Sequence, residues 1–197
     1  MQMSRSAHPT LVETLWPAGS GLAPLARAAA AAFAGSLLLT LSAKAQVPFW
    51  PVPMTMQTMV VLALGAAFGA RLAAATVALY LLEGLVGLPV FAGAVAGPAY
   101  MAGPTGGYLA GFLAAAAMVG AMAERGWDRS GLHLLAAMTL GHAVIFAFGF
   151  AWMAVLFGAE KAFALGVAPF WLATILKTLL AAALVAASWR LVARLRG

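Results

Sequence analysis

Lys177 stands in the stretch "FWLATILKTLLAAAL", about eleven residues or roughly 16 Å into the last apolar run of the chain. An ammonium so deep in hydrocarbon is costly, which makes it a candidate functional group, and what it offers is attraction of a carboxylate. The competing expectations are snorkelling to headgroups or pairing with an internal acid such as Glu83. Glu83, in "LYLLEGLVGLP", sits near the end of its own apolar run, where interfacial solvation is expected. His142 reads as a hydrogen-bonded helix-packing residue. His8 and His133 sit near segment ends, and no two of the three histidines have the i, i+4 spacing of a metal pair. There is no nucleophile elbow, no phosphate-binding loop and no cysteine, and only five acidic residues are present, so the chain is not expected to be an enzyme. "GPTGGYLAG" lacks the Gly-Lys-Ser/Thr ending of a nucleotide loop; if ATP drives anything here, the ATPase is a different chain.

A second constellation is made of three Gly/Pro-rich stretches: "VPFWPVPMTMQT" (47–58), "GLPVFAGAVAGPAYMAGP" (87–104) and "GPTGGYLAGF" (103–112). They carry Phe49, Trp50, Phe91, Tyr100 and Tyr108 beside Thr55, Gln57, Thr105 and exposed glycine amides, the mix of apolar walls and few polar atoms found in a small-ligand pocket. Aromatics of an ordinary interfacial belt would give the same composition. Gly106 and Gly107 favour the pocket, since glycine lets a backbone approach a ligand closely or adopt φ > 0.

These groups must be positioned by membrane helices. Of the 197 residues 64% are hydrophobic and 8% charged, against roughly 25% charged in soluble domains. About six spans of roughly 20 residues fit this length. Gly, Pro and charged residues divide the chain into apolar segments at 24–44, 55–68, 70–87, 105–123, 131–157 and 166–192. The second is short, so it is expected to be tilted, partly re-entrant or packed inside the bundle. Residues 1–22 read as a cytoplasmic arm, mobile or interfacial, with no cleavable leader, and residues 23–197 as one membrane domain. The expected fold is therefore an all-α membrane protein of six helices with ligand-covering outer loops. Eight of the eleven Lys and Arg (Arg5, Arg27, Arg71, Arg125, Arg129, Arg190, Arg194, Arg196) fall on one side if the amino terminus is inside. That asymmetry predicts both termini in the cytoplasm and 45–54, 88–104 and 158–165 on the outer face. The net charge of +6 thus reads as a topology signal rather than a nucleic-acid site.

The first segment contains "ARAAAAAFAGS" (26–36), in which Ala26, Ala30 and Ala34 line one face and Ala28 and Ala32 its neighbour. Small residues at this spacing let membrane helices approach closely, within the bundle or against a second protein.

The combination of "PVPMTMQT" (51–58), "GLVGLPVFAG" (84–93) and "GPTGGYLAGF" (103–112), in this order, resembles the BioY family, the biotin-specific S components of energy-coupling-factor transporters. The resemblance runs from about Ala26 to the carboxyl terminus. It implies a six-helix capture subunit of a bacterial cell membrane that holds biotin, as transported ligand and not cofactor, under the outer connections joining helices one to two and three to four. It further implies a transmembrane coupling subunit and cytoplasmic ATPases as partners, with Ala30 and Ala34 as the Ala-x-x-x-Ala docking pair. The ligand set it implies comprises Trp50, Thr55, Gln57, Phe91, Tyr100, Thr105, Gly106, Gly107, Tyr108 and Lys177. Gln57, Thr105 and Tyr108 would meet the ureido group and Lys177 the valerate carboxylate. Two positions depart from the family pattern: Thr174 stands where an Asp often precedes the lysine by three residues, and Val95 where an Asn can occur. From the residues alone, a stand-alone vitamin transporter and a membrane assembly subunit that binds no ligand remain alternatives.

Overall fold

A computed structural model describes residues 8–17 and 23–196. Its helices are α1 (Leu11–Leu15), α2 (Ala23–Lys44), α3 (Gln57–Phe68), α4 (Ala70–Leu85), α5 (Pro98–Ala102), α6 (Gly106–Ala123), α7 (Gly131–Phe157), α8 (Ala159–Gly166) and α9 (Trp171–Arg196). Strands β1 (Gln46–Val47) and β2 (Met54–Thr55) form an antiparallel hairpin with Gln46 opposite Thr55 and Val47 opposite Met54. The six apolar segments expected from the sequence correspond to α2, α3, α4, α6, α7 and α9. Short connections make neighbours in the chain antiparallel. The hairpin, the 86–105 connection and α8 therefore gather at one end of the bundle, and the arginines of the described residues at the other.

Four stretches are long and apolar enough to cross a membrane: Ala23–Lys44, Gly106–Ala123, Gly131–Phe157 and Ala159–Arg196. With them the chain is a multi-pass membrane protein. Leu172, Ile175, Leu176, Leu179, Leu180 and Leu184 point outward from α9 while Lys177, Thr178, Ala181 and Val185 point in. An apolar exterior of this kind is at home in hydrocarbon, which solvates leucine as well as a protein core does.

Helix α3 has 12 residues, about 18 Å. It packs against α1, α2, α4, α6, α7 and α9, and seven of its residues are buried, so protein rather than lipid surrounds its ends. The reading of this segment as packed inside the bundle is the one the fold adopts. The stretch 158–165, expected as a loop, is instead helical: Ala162 is buried while Lys161 and Phe163 face outward.

At the arginine end, residues 8–17 of the expected arm hold the short helix α1 and dock on the bundle. Thr10 caps α1 through a reciprocal pair with Glu13, and Thr10 and Leu11 are buried. His8 N donates to Glu124 O (3.3 Å), Arg129 to Pro9 O (2.7 Å), Arg27 to Trp16 O (2.6 Å), and Arg196 to Thr14 O. Residues 1–7 and 18–22 of the expected arm lie outside the described residues. Beneath this strap, Asp128 is 4% exposed; its Oδ2 accepts from Trp189 Nε1 (2.7 Å), and the Arg129 guanidinium lies over the Trp189 ring. Burial pushes the Asp128 carboxyl above its ordinary value, against the opposing pull of Trp189 and Arg129. In the interval just above the usual carboxylate range the folded chain therefore binds more protons than the unfolded one, and this group makes stability fall as pH rises. Asp128→Asn is expected to flatten that part of the pH profile of thermal unfolding; an unchanged slope would exclude Asp128 as its source.

Candidate ligand-binding site

A narrow, partly open cavity of about 40 Å³ lies under the hairpin and the 86–105 connection. Its lining, mostly apolar with a few polar atoms, is of the kind found in small-molecule sites. The hairpin, α3, α6, α7 and the last apolar segment form most of its walls. The base of the hairpin and the start of α3 contribute Val52, Pro53, Thr55, Gln57 and Thr58; α6 contributes Tyr108, Leu109 and Phe112, with Thr105 at its N-cap. Helix α7 adds Ile145 and Phe146, and Phe170, Thr174 and Lys177 come from the last apolar segment; Ala92 and Tyr100 close the top.

The walls are stiffened by hydrogen bonds that the cavity itself does not use. Gln57 Nε2 donates to Tyr80 Oη (2.7 Å), and Tyr80 Oη donates to Val90 O (3.2 Å), tying α3 to the long connection through a fully buried tyrosine. Tyr108 Oη donates to Gly166 O (2.7 Å), tying α6 to α8. Phe91 is 1% exposed and stacks on Tyr100 with centroids 4.8 Å apart, its other side edge-on to Tyr80 at 5.5 Å. Gly84 makes room for it: a Cβ there would lie 2.0 Å from the ring. Burial raises the Tyr100 hydroxyl above the usual phenol value, so it stays neutral and able to donate.

Lys177 is 7% exposed and reaches the cavity from α9. The ion pair among the described residues is Arg129–Asp128, at the opposite end of the bundle. Glu83, the suggested internal partner, takes a hydrogen bond from Ser36 instead. His142 is buried, with Nδ1 beside Met138 O (3.2 Å) and Thr178 Oγ1 (2.9 Å), which is a helix-packing role. Thr174 and Thr178 donate their hydroxyl protons to Phe170 O and Thr174 O, leaving the Thr174 oxygen as an acceptor at the cavity wall.

Of the residues singled out in the sequence, Thr55, Gln57, Tyr100, Thr105, Tyr108 and Lys177 are brought together on this cavity. Phe91 lies behind its wall as support. Trp50 projects from the hairpin and is 79% exposed. Phe49 packs edge-on to Phe170 at 6.0 Å. Gly106 and Gly107 do not face the cavity, and helix geometry explains it. Thr105, Tyr108, Leu109 and Phe112 share one face at i, i+3, i+4 and i+7, whereas Gly106, Gly107 and Ala110 share another. That second face packs on α7, where a Cβ on Gly107 would sit 2.3 Å from Trp152 Cβ and 2.5 Å from Phe148 O. Sequence reasoning missed Thr58, Phe112, Phe146 and Phe170. The i, i+4, i+7 spacing of Phe170, Thr174 and Lys177 was the available signal for the last of these. Ala30 and Ala34 lie exposed on the outside of α2 and Ala32 is buried, so the small-residue stretch serves the bundle with one face and leaves the other free.

Comparison with known proteins places the chain in a family. The family model described as "BioY family" matches residues 10–194. The "Probable biotin transporter BioY" of Pyrococcus horikoshii is 36% identical over 140 residues, 71% of this chain and 82% of the relative. The "Biotin transporter BioY" of Thermotoga maritima is 36% identical over 146 residues, 74% of this chain and 85% of the relative. A crystal structure of "the S-component for biotin from an ECF-type ABC transporter" superposes with a TM-score of 0.72 at 19% identity, covering 87% of this chain and 95% of the other, which establishes a shared fold. These relatives are transporters, not enzymes. Matched over nearly its whole length and alike in fold, the chain belongs to the BioY family.

Proposed function

We propose that this chain captures biotin from outside the cell as the substrate-binding subunit of an ATP-driven energy-coupling-factor transporter. The observation that carries the reading is Lys177: a buried ammonium with no acidic partner among the described residues, opening onto a mostly apolar cavity, in a chain of the BioY family. A ligand carboxylate supplies the missing counter-ion. Tyr108, Phe146 and Phe170 offer surfaces for the bicyclic head, and Thr55, Gln57, Thr58 and Thr105 offer polar atoms for the ureido group. The role of Thr174 follows from its oxygen: it accepts where an Asp would have neutralised the lysine, so the ligand's charge counts for more here.

Six spans, α2, α3, α4, α6, α7 and α9, cross the bacterial plasma membrane with both termini inside. Supporting this, Arg27, Arg71, Arg125, Arg129, Arg190, Arg194 and Arg196 all lie toward the end opposite the cavity, as expected for cytoplasmic flanks. The exposed Ala30 and Ala34 face of α2 is suited to close approach by a coupling subunit, with ATPases below it. Biotin is cargo and no resident cofactor is required.

Calorimetric titration of the detergent-purified chain with biotin tests the reading. Saturable binding near one per chain is expected; no saturable heat would leave an assembly role without a ligand as the better account.

A further inference from the structure

We infer that Lys44 is a positioning residue that latches the 86–105 connection over the cavity. The connection contains no charged residue of its own, and its apolar inner side is held by Phe91 wedged between Tyr80 and Tyr100. Its outer side is held by a cation from another element. Lys44 Nζ donates to Phe91 O at 2.7 Å and to Gly93 O at 2.9 Å, bracketing Ala92, which is 6% exposed and lines the cavity. Gly93 has φ +77°, and the turn it makes lies between the latched segment and the exposed stretch that follows.

The last turn of α2 also carries the second cover. Met56 N donates to Ser42 O (3.2 Å) and to Ala45 O (3.1 Å), so the base of the hairpin hangs from the residues that flank Lys44. Both covers are thus hinged on one helix end. The hairpin is fixed there by backbone bonds, whereas the segment around Ala92 is fixed to this helix end by the Lys44 side chain. Charge-assisted hydrogen bonds from an ammonium to carbonyl oxygens are among the stronger contacts available to a segment that has no ions of its own. Loss of the latch therefore frees Ala92 and Tyr100 from the mouth of the cavity before it disturbs the helices.

The inference rests on the capture reading for its effect on ligand, but the latch itself is measurable without ligand. The chain has no cysteine, so a thiol introduced by Ala92→Cys is a unique reporter of cover opening. Adding Lys44→Met, which keeps the unbranched apolar stem but removes the donors, is expected to speed maleimide labelling of that thiol by about three- to tenfold, the scale of one charge-assisted hydrogen bond partly open to water. Lys44→Arg is expected to restore slow labelling. On a background without the reporter, Lys44→Met is expected to raise the biotin dissociation rate by a similar factor while the thermal unfolding midpoint stays close to that of the unaltered chain. Labelling unchanged by Lys44→Met, or accelerated equally by Lys44→Arg, overturns the latch whatever biotin does. Faster labelling in a chain that binds no biotin upholds the latch and removes the capture reading instead.

Discussion

Replacing Lys177 with methionine is expected to weaken biotin binding by about 10²- to 10³-fold, while weakening the uncharged biotin amide by less than about tenfold. The magnitude follows from the cost of leaving one member of a buried ion pair alone, about 3–5 kcal/mol, where each 1.4 kcal/mol is a factor of ten. In the variant the orphan is the ligand carboxylate, which must give up water to enter a cavity lined by Leu109, Phe112, Ile145, Phe146 and Phe170. The amide carries no charge and leaves no orphan. A second readout separates charge from packing. In the ligand-free protein Lys177 is itself a desolvated cation with no acid beside it among the described residues, so Lys177→Met is expected to raise the unfolding midpoint even as it removes affinity. Paired calorimetric titrations with biotin and biotin amide check the first expectation and thermal unfolding the second. Equal losses for the two ligands would remove the carboxylate role from Lys177.

Gly107→Ala is expected to behave in the opposite way, lowering stability by about 3 kcal/mol or more with little change in biotin affinity of the folded fraction. The added Cβ would lie 2.3 Å from Trp152 Cβ and 2.5 Å from Phe148 O. Both are fixed to the α7 backbone and cannot swing aside, so α6 and α7 must separate, at or beyond the upper end of the roughly 1–3 kcal/mol usual for overpacking. These two helices share the most extensive contact in the bundle. Gly107 nevertheless stands off the cavity face, so ligand affinity is expected to remain within about threefold. Thermal unfolding together with titration of the folded protein tests this. An unchanged midpoint combined with a tenfold loss of affinity would return Gly107 to the ligand wall.

The contrast between Lys177 and Gly107 shows how far the sequence could be read. Lys177 was legible because an ionisable group within an apolar run is rare enough to announce itself, whichever way the helix faces. Gly107 was legible only as permissive. A glycine can serve a ligand, a turn or a neighbouring helix, and the choice depends on the azimuth of α6 around its axis. Tyr108, one residue later and about 100° around the helix, faces the cavity. Phe91 and Trp50 show the same limit: both are large aromatics in Gly/Pro-rich connections, yet one is sealed behind the wall and the other stands in the open.

Composition and spacing by themselves determined that the chain lies in a membrane, where its apolar segments begin and end within a few residues, and which end carries the arginines. These are properties of single segments, set by the transfer of side chains and backbone out of water. The motif order likewise pointed to the BioY family, and the family match over residues 10–194 agrees. Tertiary structure alone decided that α3 is short because it is sheathed by other helices, and that residues 8–17 strap the arginine end. It also decided that Lys44, 47 and 49 residues from its acceptors in sequence, holds the cover over the cavity. Each of these depends on contacts between residues far apart in the chain. Hydrophobic periodicity carries no information about such pairs, because many partners would satisfy the same apolar face equally well.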